Sequence, residues 1–508
     1  MESAIPEKTQ PKKTRLVAIS NRLPVTLSRK GDTWSVEPGS GGLVTAMAPV
    51  LRDRGGLWIG WPGISEKVDF DTVLGDASLA TGYDLIPVEM DEEEVTSYYK
   101  GFANQIIWPL FHDMQSHCTF DPEFWYSYIR VNAKFADRIL NHTSDDDYIW
   151  VHDYHLFHVG KFLRERGRSH RIGFFLHIPF PPMDIFVRLP WRMEILEALM
   201  EYDLVGFQTF RDRKNFLDCL QRSYPAARVS GRGTVVQVAL EDRVVRVGYF
   251  PISIDYRSFV EDTNSEGTMQ WYESLKEKFC DHSVILGVDR MDFTKGLQER
   301  LEGYRNALER YPDLREKVTL TQVLVPSRHS LTSYQILKAR IDRLIGEING
   351  QFATLGWDPI HYHYRSLDHD ELLALYHIAD IALVTPLKDG MNLVAKEYCA
   401  CSLQNNGVLI LSEFAGAAAE LHSGALLVNP HDYEGIADAL YYAFTMDYDE
   451  KQTRMKKMRK IIRRRDIFRW VDSFLQAAFA RNLNDFPPVK EEYIPGTSGE
   501  DFATMLEE

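Results

Sequence analysis

Short apolar runs bounded by turn residues recur along the chain, at 16–19, 148–151, 172–176, 284–288, 318–325, 381–384 and 408–411. Between them lie amphipathic stretches of helical length, among them 297–308, 331–345, 371–378 and 434–444. Uniformly apolar runs of this length are the mark of parallel strands buried on both faces, and the intervening helices supply the crossovers such strands need. The alternation predicts a doubly wound α/β architecture. It also directs attention to the residues just after each strand, because open parallel sheets bind ligands at the carboxyl ends of their strands.

With 508 residues, the chain is expected to hold roughly two to four domains, each with its own core. The stretch YFPISIDYRSF at 249–259 carries Pro251 and leads into a polar, non-periodic segment at 261–269, after which a fresh strand-helix series begins. A boundary near Pro251 follows. The expected organisation is a flexible segment 1–14, a Rossmann-like domain 15–250 and a second Rossmann-like domain 251–486 whose last helix returns to the first. The tail 487–508, acidic and rich in Pro, Gly and Ser, has little to bury and reads as disordered. Two such domains would face each other across a cleft and close over their ligands.

Lys and Arg number 58 against 73 Asp and Glu, a formal charge of −15. That balance disfavours a general nucleic-acid binder, which needs basic stripes to displace counterions. The basic stretch 451–465 is interleaved with Met455, Met458, Ile461 and Ile462 at helical spacing, and reads as a solvated helix with an apolar seam. Cys118, Cys219, Cys280, Cys399 and Cys401 are scattered, without the pairing of a zinc site or redox motif. No apolar run reaches the roughly 18 to 20 residues of a membrane helix, and the first 13 residues lack a signal-peptide core. The expected location is cytoplasmic, with no membrane and no nucleic acid as partner.

The chemistry-bearing residues follow the strands. After the first comes Ser20-Asn21-Arg22-Leu23-Pro24, and then Pro38-Gly39-Ser40-Gly41-Gly42 opens a helical segment, an arrangement suited to an anion at a helix N-terminus. With Val44 in place of the last glycine of a Gly-x-Gly-x-x-Gly motif, and no Walker lysine, dinucleotide and P-loop readings are weaker. The strand at 148–151 ends in His152-Asp153-Tyr154-His155, and that at 172–176 in His177-Ile178-Pro179. Asp153 and His177 suit hydrogen bonding of sugar hydroxyls. His152, His155 and His158 lack a fourth ligand for a metal. The triplet Asp145-Asp146-Asp147 precedes its strand, away from the ligand end, and reads as a solvated charge run.

In the second half, Arg290 and Lys295 follow one strand within DRMDFTKG, and Arg328 follows another within VPSR. Cations so placed can oppose the charge growing on a departing diphosphate. The segment IALVTPLKDGMNLVAKEY at 381–398 sets Asp389 and Glu397 eight positions apart, about two helical turns if the stretch is helical. One carboxylate could then hold a sugar hydroxyl and the other chelate a ribose, with the N–H groups of Met391, Asn392 and Leu393 reaching a phosphate.

Together SNRLP, GSGGL, the segment from Tyr99 to Trp108 running into WPLFH, VHDYH, HIPFP, DRMDFTKG, VPSR and DGMNLVAKEY resemble the UDP-forming trehalose-6-phosphate synthase family in its fungal-type single-domain form. These are retaining glycosyltransferases of family 20 with the GT-B fold. The resemblance runs from about Arg15 to Phe486 and leaves no room for the phosphatase domain that some relatives append. It implies that Arg22, Tyr99, Trp108, Asp153 and Arg328 bind the acceptor, glucose 6-phosphate. It places Gly41, Gly42, His177, Arg290, Lys295, Asp389, Gly390, Met391, Asn392, Leu393, Val394 and Glu397 at UDP-glucose. Asp153, His177, Arg290, Lys295 and Asp389 would be the catalytic set.

The implied reaction gives α,α-trehalose 6-phosphate and UDP with the donor's configuration kept, without a cofactor or metal, as part of trehalose biosynthesis and the stress response. A homo-oligomer, a trehalose-6-phosphate phosphatase and regulatory subunits are implied as partners. Two other readings stand beside it. One is a transferase with the same donor and another acceptor, such as a glycerol phosphate. The other is a sugar-phosphate sensor that binds both ligands with catalysis secondary.

Overall fold

In the computed structural model, residues 15–483 are described apart from 31–32, 40–41, 67, 241–242, 280–281 and 328–330, together with 486, 487 and 493. The segment 1–14 and nearly all of 487–508, expected to be flexible and disordered, lie outside the described residues. The chain forms two compact units. One comprises Met1–Ala103, Phe120–Phe175 and Met193–Val205; the other comprises Asn104–Thr119, Leu176–Arg192 and Gly206–Glu508.

In the first unit five parallel strands lie in the order Asp84–Pro87, Gly56–Trp61, Leu16–Arg22, Tyr148–His152, Arg171–Phe175. Ile19 pairs with Ile59 on one side and Val151 on the other, and all three are fully buried. The chain steps outward from its first strand through Gly56–Trp61 to Asp84–Pro87, then returns to the opposite side at Tyr148–His152. This reversal makes the carboxyl ends of Leu16–Arg22 and Tyr148–His152 the switch point at which open sheets bind ligands.

The helix Pro122–His142 starts on an Asp121 cap with proline at its head, and buries Tyr128, Val131, Phe135 and Ile139 at helical spacing. Its buried Asn132 bonds the carbonyl of His155 (3.1 Å) and the amide of His158 (3.1 Å), so a core helix sets the turn after Tyr148–His152.

In the second unit six parallel strands lie in the order Ile360–His363, Val318–Val325, Ser283–Arg290, Ile381–Val384, Val408–Ser412, Leu426–Val428. The direction of winding reverses between Ser283–Arg290 and Ile381–Val384. Beneath that point the fully buried Arg300 donates to Asp289 (2.6 Å), Gln322 (3.2 Å) and Thr385 (3.2 Å), tying three adjacent strand ends to the helix Leu297–Arg310. The helix Ile467–Phe479 runs beside the strand Arg243–Tyr249. Arg246 caps its C-terminal carbonyls, including that of Ala478 (3.1 Å), and the Trp470 indole donates to the Phe250 carbonyl (3.1 Å).

All seven expected strands are present, and the four expected helices are Leu297–Arg310, Thr332–Phe352, His369–Ile378 and Tyr433–Thr445. The basic stretch is the helix Tyr448–Arg464, with Met455, Met458 and Ile462 buried. The acidic triplet departs from expectation. Asp145 and Asp146 are exposed, but Asp147 is buried in an ion pair with Arg15 (3.0 Å), which locks the start of Tyr148–His152 to that of Leu16–Arg22.

Candidate active site

The second unit's switch point gathers most of the expected donor residues. Arg290 is the last residue of Ser283–Arg290, and its guanidinium carbon lies 5.8 Å from the centre of the Trp108 ring. Lys295 ends the turn Phe293–Lys295, which follows the same strand. Its ammonium forms an ion pair with the Asp389 carboxylate, and the two side chains are only 13% and 16% exposed. Burial alone would raise the Asp389 pKa, but the Lys295 charge and the Asn392 amide outweigh it and hold the group below the usual carboxylate range. Asp389 is therefore held as a carboxylate that orients the Lys295 ammonium.

Asn392 builds the next step. Its side-chain amide donates to Asp389 (3.2 Å), and its side-chain carbonyl caps the helix Leu393–Cys401 by accepting from the Ala395 amide (3.2 Å). Leu393 and Val394 head that helix, where backbone N–H groups have no intrahelical acceptor and the dipole favours an anion. The Met391 amide, expected at the phosphate, instead turns back to Asp389 (3.4 Å). The expected two-turn spacing also needs correcting: 389–392 is a loop, so Glu397 sits about one turn into the helix. Its carboxylate accepts from the Tyr376 hydroxyl (2.9 Å), and burial raises its pKa.

Gly390 is fixed by close approach. A Cβ there would collide with the His177 carbonyl, so only glycine lets the loop touch the end of the neighbouring segment. The half-buried His177 ring lies 6.2 Å from that of Trp470, and burial pushes its pKa down to about 3, leaving a neutral imidazole for hydrogen bonding. Trp108 heads the helix Trp108–Phe111 and donates to Asp292 (3.3 Å).

The first unit holds Arg22, Tyr99 and Asp153. Arg22 ends Leu16–Arg22, with its guanidinium 4.5 Å above the Trp61 ring. Tyr99 lies 5.7 Å from Trp61 and stacks on His155 at 5.9 Å. Asp153 follows Tyr148–His152 with φ of 76° and ψ of 166°, a conformation costly for a non-glycine residue. Its amide is held by the Phe175 carbonyl (2.8 Å). The structure thus brings Arg22, Tyr99 and the turn after Asp153 around one aromatic wall.

Gly41 and Arg328 lie outside the described residues, and Gly42 is the first residue of the helix Gly42–Arg54. Among the described residues no cluster of His, Cys, Asp or Glu could hold a metal ion, and no helix is long and apolar enough to cross a membrane. Sequence reasoning passed over Trp61, Asp292 and Lys388, and weighed His155 only as a metal ligand. Trp61 ends a strand rich in glycine and tryptophan that gave no clear apolar run. Lys388 is buried against Asp113 (2.5 Å), a partner 275 positions away that no local pattern reveals.

The chain matches the family described as glycosyltransferase family 20 over residues 14–480. It is 41% identical over 467 residues to a trehalose-6-phosphate synthase from Mycolicibacterium vanbaalenii, covering 91% of this chain and 95% of that one. A trehalose-6-phosphate synthase from Mycobacterium leprae is 42% identical over 472 residues, covering 91% and 94%.

Among solved structures, an alpha,alpha-trehalose-phosphate synthase (UDP-forming) from Burkholderia xenovorans in complex with glucose-6-phosphate superposes with a TM-score of 0.82. It is 34% identical, covering 91% of this chain and 99% of that one. A structure from E. coli bound with UDP-2-fluoro glucose gives a TM-score of 0.81 at 37% identity, covering 92% and 99%.

Proposed function

The chain belongs to glycosyltransferase family 20, and from that premise we propose that it transfers glucose from UDP-glucose to the anomeric oxygen of glucose 6-phosphate. The products are α,α-trehalose 6-phosphate and UDP, and the fold is GT-B. The observation that carries this reading is the set of groups after the two strands flanking the second unit's switch point. Arg290, the Lys295–Asp389 pair and the Asn392-capped helix start offer two cations, a sugar-binding carboxylate and a phosphate-binding dipole on one stretch of fold.

In the proposed mechanism the donor diphosphate meets Arg290, Lys295 and the amides of Leu393 and Val394. Asp389, Gly390, Asn392 and His177 hold the glucose hydroxyls, and Glu397 holds the uridine ribose. Arg22, Tyr99, Trp108, Asp153 and Arg328 are assigned to the acceptor, with the arginines on its phosphate. The acceptor's anomeric hydroxyl attacks on the face from which UDP departs. Its proton passes to a diphosphate oxygen, the glycosidic C–O bond to UDP breaks as the new one forms, and configuration is retained. Arg290 and Lys295 stabilise the charge on the departing UDP, a role a divalent metal would otherwise fill, so we assign no essential cofactor.

A domain boundary near Pro251 and a cytoplasmic location, read from the sequence, and a homo-oligomer and association with a trehalose-6-phosphate phosphatase and regulatory subunits, carried over from the resemblance, are part of this proposal. Light scattering on the purified protein tests the oligomer. The activity is tested by UDP release from UDP-glucose with and without glucose 6-phosphate, with the product's anomeric protons read by NMR. An α,α-linked disaccharide phosphate formed only with acceptor is expected. Saturable binding of both ligands without turnover would overturn the catalytic reading in favour of a sensor.

A further inference from the structure

Asp292 is fully buried, yet its carboxylate accepts hydrogen bonds from three separate segments. Oδ1 accepts from the Trp108 indole (3.3 Å), the Thr294 amide (3.1 Å) and the Thr294 hydroxyl (3.0 Å), while Oδ2 accepts from the Tyr334 hydroxyl (3.0 Å). Trp108 heads one segment. Thr294 lies in the turn that ends on Lys295, and Tyr334 stands in the first turn of the helix Thr332–Phe352. Rings join the same segments: Phe293 stacks on His117 at 4.7 Å and lies 5.4 Å from Tyr334. The Thr294 carbonyl in turn accepts from the Leu387 amide (2.8 Å), two residues before Asp389.

An acid at a fully buried position is unfavourable unless its lone pairs are satisfied, and an apolar side chain would fill the same space without that demand. The donors named above are neutral, and each belongs to a segment that carries or adjoins an assigned substrate residue. We infer that Asp292 is a positioning residue for the transfer step: it sets the Trp108 indole, assigned to the acceptor, against the Lys295 turn, assigned to the donor diphosphate. The inference rests on the reading of the site proposed above. Arg290, Glu397 and the Asn392-capped helix make no bond to Asp292, so loosening this node spares most of the donor's contacts while the acceptor loses its register. Bound UDP-glucose is then lost more often to water.

The test compares Asp292→Asn and Tyr334→Phe with the wild type. For Asp292→Asn the expectation is a fall in kcat of about 10- to 100-fold, the range for weakening hydrogen bonds to a buried charge. The KM for glucose 6-phosphate rises, that for UDP-glucose stays within about twofold, and the ratio of UDP released to disaccharide phosphate formed increases. Tyr334→Phe shifts the same quantities in the same direction by less, and carries the test if Asp292→Asn does not fold.

Folded variants with wild-type kcat, acceptor KM and product ratio would overturn the inference. So would equal losses for both substrates at an unchanged ratio, which mark a merely structural role. If the wild type itself forms no disaccharide phosphate, the functional reading fails instead. Calorimetric binding of glucose 6-phosphate then decides: weakening in Asp292→Asn at unchanged UDP-glucose affinity supports the node, and equal affinities refute it.

Discussion

Replacing Lys295 by alanine removes a cation that the fold holds in place with Asp389. Both side chains are largely shielded from water, at 13% and 16% exposure, so salt screens them little and an effective dielectric near 20 applies. At about 4 Å, one unit charge then stabilises a unit charge on a departing phosphate by about 4 kcal/mol. Removing a single preorganised donor of this kind costs about 2.7 to 4 kcal/mol in other transfer reactions, so kcat should fall about 10²- to 10³-fold.

A second signature separates this from loss of folding. In the wild type, Lys295 is the main group that holds Asp389 down against burial. Without it burial prevails and the Asp389 pKa rises, so the residual activity of Lys295→Ala should decline on acidification through that raised value, at a pH where the wild type is flat. UDP release at saturating substrates between about pH 5 and 9, with NMR of the product, measures both effects. Turnover within about threefold of the wild type and superimposable pH profiles would refute the argument.

If cations do a metal's work at the diphosphate, transfer should persist in EDTA, and complete loss restored by magnesium would contradict that assignment. Arg22→Lys keeps the charge but loses the planar fork above Trp61, so the KM for glucose 6-phosphate should rise more than about tenfold at unchanged donor KM. Equal effects on both substrates would count against it.

Lys396→Met would leave the buried Glu420, which pairs with Lys396 (2.6 Å) and Arg465 (3.0 Å), with the more exposed Arg465 alone. Because Arg465 still compensates part of the charge, a loss of about 2 to 3 kcal/mol, below the about 3 to 5 for a wholly unpaired buried charge, is expected from denaturant curves at pH 7. Burial alone would raise the Glu420 pKa, but the two cations leave it below its ordinary value. Its contribution is therefore present above the unfolded pKa of about 4.3 and lost as pH falls through the depressed folded value. The deficit of Lys396→Met should shrink on acidification, and a deficit constant with pH would refute the linkage.

The parallel strands were legible because burial on both faces writes itself as a continuous apolar run, as at 284–288 and 381–384. Gly56–Trp61 and Asp84–Pro87 were not, since glycine, tryptophan and proline break that pattern while main-chain pairing still holds them beside Leu16–Arg22. The helix Val95–Ile107 winds with the wide π repeat, to which a period of about 3.6 residues is blind. Among site residues, those just after a strand could be placed by rule, as with Arg290 and Asp153. Partners supplied by tertiary packing could not: nothing local in the sequence joins Asp292 to Trp108 across 184 positions, or places Arg22 over Trp61. The Asp147 misreading has the same origin, because its partner Arg15 lies 132 positions away.

Each unit also stores backbone strain near a switch point, at Asp153 with φ of 76° and at Asn392 with φ of 75°. Strain of this kind costs about 1 to 3 kcal/mol and persists where surrounding bonds over-determine it. At Asn392 those bonds are visible: one to Asp389 and one to the Ala395 amide. Glycine there would relieve the strain and lose the bonds, whereas alanine would lose the bonds and keep the strain. Asn392→Gly should therefore be more stable than Asn392→Ala by about 1 kcal/mol, while both lose turnover to a similar extent because Asp389 loses the bond from the Asn392 amide in each. Thermal unfolding and UDP release read the two quantities separately. An alanine variant as stable as the glycine one would show that the positive φ is not strained, and a glycine variant with wild-type turnover would show that the side chain of Asn392 is not what orients Asp389.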